Sequence, residues 1–120
     1  MDKTEFKRRT REFGKRVAKV CDALPNLRSS DAIARQLVRS GLSVGANYRA
    51  ACRAKSNRDM IAKLAIVEEE ADESVNWLEM LTELDIVPAS RLESLIDEGN
   101  QIIAMSVASI KTLRKRDGRS

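Results

Sequence analysis

Apolar residues recur along this chain with helical period in four separate stretches. Phe6, Phe13, Val17, Val20 and Leu24 are spaced by seven, four, three and four and stop before Pro25, which predicts a first helix over about residues 4–24. The loop PNLRSS follows, with Ser29 or Ser30 as the cap of a second helix and Asp31 placed favourably against its dipole. That helix runs over about residues 30–54, and Ile33, Leu37, Val44, Tyr48 and Ala51 fall on one arc of it. Ser56 and Asp59 form a capping-box pattern that opens a third helix, about residues 57–85. Pro88 closes the next connection, and Ser90-x-x-Glu93 starts a fourth helix over about residues 90–115. Its single apolar stripe contains Leu92, Leu95, Gly99, Ile102, Ile103, Ile110 and Leu113. No strand pattern competes, so short connections between four amphipathic helices predict an all-α, antiparallel up-and-down four-helix bundle in one domain, residues 1–120. The tail RKRDGRS is expected to fray.

The second and third helices carry more surface than one buried stripe needs. On the second, Arg35, Arg39, Arg49 and Arg53 cluster opposite the apolar arc, while Ala34, Gly41, Gly45 and Cys52 form a stripe of small residues between the two. Glycine inside a helix costs about 0.5–1 kcal/mol relative to alanine, so Gly41 and Gly45 imply a close helix crossing. On the third, Met60, Leu64, Val67, Ala71, Val75 and Leu78 make a core face. Ile66, Trp77, Met80, Leu81 and Leu84 gather on another. One bundle buries only one of these faces, so the second is a candidate subunit interface centred on the only tryptophan. A wide core face is its plainer explanation.

Composition narrows the chemistry. The chain has no histidine, which removes histidine general bases, Ser-His-Asp triads and Glu-x-x-His iron sites. Cys21 and Cys52 stand on different segments without a C-x-x-C pair and read as small buried residues in a reducing cytosol rather than a disulfide framework. The start MDKTEFKRRTREF is too charged for a signal peptide, and no apolar run approaches the roughly 18 residues of a membrane span. The acidic stripe Glu68, Asp72, Glu79 and Glu83 offers oxygen ligands but no site-forming loop, so neither a metal nor a cofactor is expected. Ser40 and Ser43 have no base in view, and no phosphate-cradling glycine loop is present, so no enzymatic activity is expected.

Charge gives the more positive signal. The net charge of +4 conceals segregation: residues 1–58 carry 15 Lys/Arg against 5 Asp/Glu, and residues 59–98 carry 2 against 12. Either the halves neutralise each other on folding or they face different partners. Lys7, Arg8, Arg11 and Lys15 on the first helix, with the arginine ladder Arg35, Arg39, Arg49 and Arg53, are the candidate phosphate-binding residues. Aromatic residues make up only 3% of the chain, so binding of RNA or DNA is expected to be backbone-dominated, salt-sensitive and weakly selective. An inert basic surface is the bland alternative.

The run Arg39-Ser40-Gly41, Ser43-Val44-Gly45-Ala46-Asn47, then Lys63-Leu64, Glu69-x-x-x-Glu73 and Trp77-Leu78, resembles the signature of a bacterial four-helix-bundle family encoded by intervening sequences of large-subunit ribosomal RNA genes. The resemblance covers essentially the whole chain. Many members carry an acidic residue shortly after the asparagine, where Tyr48-Arg49-Ala50 stands here. The resemblance implies an antiparallel bundle that assembles into a homo-oligomeric ring, with homopentamers known in the family. It also implies distant kinship to retroelement accessory proteins that bind nucleic acid and a partner protein. It carries over no catalytic residue. Two functions are therefore expected in competition: a ring-forming nucleic-acid or ribonucleoprotein accessory factor, and a protein-binding scaffold whose Arg and Glu stripes pair across subunits.

Overall fold

A computed structural model describes residues 2–118, and they form four helices joined by short turns: α1 (Lys3–Asp22), α2 (Arg28–Cys52), α3 (Asn57–Glu83) and α4 (Ala89–Arg116). Each helix runs antiparallel to the one before it, and the bundle measures 50 × 21 × 21 Å. Phe13, Val17, Leu37, Val44, Leu64, Leu78, Leu81, Leu92 and Ile102 are buried along its length. The anticipated core faces of α1, α2 and α4 point inward because apolar residues three and four apart line one side of a helix. α1 and α4 close the bundle through long polar side chains. Arg9 holds Glu98 in a two-pronged ion pair, at 2.9 and 2.6 Å, and Arg16 donates to Ser94.

Helix boundaries follow backbone chemistry more closely than the side-chain caps expected for them. Ser56 caps α3, its hydroxyl accepting from the Asp59 N–H at 3.1 Å. At α2 the cap residue is Leu27, whose carbonyl accepts from the Asp31 N–H, so the helix begins before Ser29 and Ser30. Ser30 is instead fully buried, and its hydroxyl has no partner. Pro88 precedes α4, so Ser90 lies inside the helix and no side chain caps it. A proline cannot extend a helix backwards, and its extended backbone sets the start one residue earlier than Ser90 suggested. α1, α2 and α3 each end two residues before their expected limits, whereas α4 continues to Arg116 through part of the tail expected to fray.

Folding converts the segregation of charge along the chain into a difference between the bundle's ends. At one end lie residues 2–9, 49–64 and 108–118, with 13 Lys/Arg against 4 Asp/Glu. At the other, residues 15–35 and 78–98 hold 6 against 8. The antiparallel reversal places the basic start of α1 beside the basic ends of α2 and α4. Among the described residues, no helix is long and apolar enough to cross a membrane.

Candidate nucleic-acid interface

The site begins with three glycines. A Cβ at Gly14 would stand 3.0 Å from the Gly41 carbonyl oxygen, one at Gly41 would stand 2.8 Å from Val17 Cβ, and one at Gly45 would stand 3.2 Å from Arg11 Cα. α1 and α2 thus touch backbone to backbone, which side chains at these positions would prevent. Gly14 was not singled out from sequence. Its signal is a lone small residue between the buried Phe13 and Val17.

This close crossing leaves a groove on the outer face of the pair. Two adjoining hollows of about 400 and 310 Å³ share Arg11, Gly45 and Arg49. Lys15 borders the first, and Lys7 and Arg53 border the second. The cations stand on two facing rows: Lys7, Arg11 and Lys15 recur every fourth residue of α1, about 6 Å apart along the axis. Arg49 and Arg53 form the opposite row. Among the described residues, Lys7, Arg11, Arg49 and Arg53 meet no carboxylate within salt-bridge distance, so the groove holds four unneutralised charges.

The remaining candidates have different surroundings. Arg39 leaves the ladder and leans onto α3, donating to Glu70 at 3.1 Å and to Glu73. The Glu73 hydrogen bond is the main reason its guanidinium is held above its ordinary pKa. Ten residues separate Arg39 from Arg49, which puts them roughly 80° apart around α2, so each faces a different neighbour. Arg35 is exposed and lines neither hollow. Arg8 pairs with Glu5 on its own helix, and Lys15 pairs with Glu12 at 3.0 Å. Those hydrogen bonds hold the Glu5 and Glu12 carboxyls below the usual carboxylate range. Lys15 thus reaches the groove with its charge already shared.

The second face of α3 also divides. Leu81 is fully buried, so it is a core residue and not part of an interface. Trp77 and Met80 are half-buried, and the Trp77 indole donates to Glu73 at 3.2 Å. Ile66, in the first half of α3, is 36% exposed, and Leu84, just past its C-terminal end, is 48% exposed. Among the described residues no three Cys, Asp or Glu side chains converge to hold a metal ion.

The profile of the 23S rRNA-intervening sequence protein family matches residues 2–108. Among solved structures, the chain is similar to a Bacteroides thetaiotaomicron protein of unknown function from the S23 ribosomal protein family. Identity is 32%, coverage is 92% of this chain and 99% of that one, and the TM-score is 0.85. No curated protein matches. With the match running from the first described residue into the last helix, and a full-length structural relative sharing the bundle, this chain belongs to the 23S rRNA-intervening sequence protein family.

Proposed function

We propose that this protein is a non-enzymatic bundle that holds RNA or DNA by its phosphate backbone in the groove between α1 and α2. The observation that carries this reading is the meeting of Lys7, Arg11, Arg49 and Arg53 around one glycine-floored groove, with no carboxylate within salt-bridge distance of them among the described residues. Guanidinium and ammonium groups in that setting are hydrated donors whose natural complement is an anion with several oxygens. Backbone contacts position a nucleic acid without reading it, in keeping with the absence of exposed aromatic platforms. Family membership supports a setting close to ribosomal RNA.

Self-association is part of the proposal. Exposed Ile66 and Leu84, with half-buried Trp77 and Met80, supply apolar area on α3, and a homo-oligomer such as a pentamer would multiply the groove. The test is fluorescence anisotropy with a generic RNA and a duplex DNA between 50 and 200 mM salt. Four phosphate contacts to a single strand predict a log–log slope of about −3. No binding at the lowest salt discards the reading in favour of a protein-binding scaffold. Light scattering on Ile66→Glu/Leu84→Glu reports assembly separately, since both positions are exposed and their substitution leaves the core intact.

A further inference from the structure

A separate hollow opens at the basic end of the bundle, on the side of α1 that faces α4, away from the glycine groove. It measures about 400 Å³, within the size range of sites for small ligands. Its inner wall is apolar, formed by Phe6, Tyr48, Met60 and Met105, with the two aromatic rings stacked at 4.0 Å. Lys3 and Arg116 also line it. Both are exposed, and neither meets a carboxylate within salt-bridge distance among the described residues. Tyr48 is only 3% exposed. Burial, with the Cys52 thiol beside it, pushes its phenol well above the ordinary range, so at neutral pH it presents a hydroxyl and not a phenolate. Ser109 supplies a second hydroxyl.

We propose that this cavity binds a nucleoside monophosphate, with the base inward against Met60, Met105 and the edge of the Phe6–Tyr48 stack and the phosphate between Lys3 and Arg116. The ordering follows from exposure: Phe6 and Tyr48 are buried, Met60 and Met105 are half-buried, and the two cations are exposed. Thioethers pack well against flat aromatic surfaces, and hydroxyls pair with the edge atoms of a heterocycle. An inorganic anion would leave the apolar wall wet, and an aliphatic acid would leave the hydroxyls unpaired. The nucleotide can come free or as the 5′-terminal unit of a strand. The cavity shares no lining residue with the groove, so this inference stands apart from the reading above.

The test uses the full chain labelled with 13C at its methionine methyls and titrated with AMP to about 5 mM, enough to register a millimolar Kd. The Met60 and Met105 signals shift and saturate, while Met80 does not move. Lys3→Glu and Arg116→Glu each weaken binding about tenfold or more. Ala108→Trp, at an exposed lining position, removes the shifts. Inorganic phosphate leaves both methyls in place, and Arg49→Glu/Arg53→Glu leaves the AMP titration unchanged. A 5′-phosphorylated single strand that acts at tenfold lower concentration than AMP assigns the site to strand ends; equal or weaker action assigns it to the free nucleotide. Unmoved Met60 and Met105, equal shifts with phosphate alone, shifts that survive Ala108→Trp, or their loss in the groove variant would overturn the inference.

Discussion

The two flanks of α2 solve the same problem in opposite ways. Toward α3, Arg39 is matched by Glu70 and Glu73, and beneath it the Ser40 and Ser74 hydroxyls hydrogen-bond across the core at 2.8 Å. Toward α1, glycines bring the backbones together, and Lys7, Arg11, Arg49 and Arg53 meet no carboxylate within salt-bridge distance among the described residues. One flank consumes its charge in holding two helices together, whereas the other leaves it unpaired among the described residues. The comparison teaches that an arginine ladder is not one functional unit. Its members are separated by their angle around the helix and by what the neighbouring helix presents.

The sharpest way to break this contrast is to reverse charge on each flank. Arg49→Glu/Arg53→Glu is expected to weaken RNA binding about a hundredfold and to flatten the salt dependence by about 1.4 log units per decade, as two phosphate contacts are lost. Arg39→Glu should alter affinity less than about threefold in the same anisotropy assay, because its guanidinium is already occupied. Equal losses from the two variants would remove the distinction between the flanks.

Stability separates them next. Gly41→Ala puts a methyl 2.5 Å from Val17 Cγ1, and overpacking of this kind costs about 1–3 kcal/mol, against a helix-propensity gain of about 0.5–1 kcal/mol. A net loss of about 1–2 kcal/mol in urea denaturation is expected, with the groove charges still in place. Ser40→Ala should cost about 1 kcal/mol by the same measurement, since Ser74 retains its bond to the Glu70 carbonyl. Arg39→Ala has the smallest expected effect, under about 1 kcal/mol, because the Arg39 side chain is 50% exposed. A larger loss would show that the α2–α3 flank depends on that ion pair more than its exposure implies.

Much of the fold was legible because it rests on local periodicity. The stripes of Phe6, Phe13 and Val17, of Ile33, Leu37 and Val44, and of Leu92, Leu95 and Ile102 all face the core. Caps were less legible: Ser30 and Ser90 have the right chemistry three and two residues after Leu27 and Pro88, where the helices start. Leu81 misled for a related reason. It lies 300° around α3 from Leu78 by ideal geometry, an azimuth that served equally for a second face, until packing against the rest of the core buried it. At the candidate site, Gly41 and Gly45 marked a close approach, but nothing local identified Gly14 as the residue across from Gly41.

By itself the order of residues determined the number of helices, their inward faces, the histidine-free chemistry and the separation of basic from acidic blocks. These are properties of neighbours three to seven positions apart, which a helix brings together without outside help. Only the tertiary structure decided which cations are neutralised, that the basic blocks collect at one end, and that Phe6, Tyr48, Met60 and Met105 surround one cavity. Those outcomes depend on which helix lies beside which and at what rotation, and side chains from distant parts of the chain meet only when the backbones close around the core.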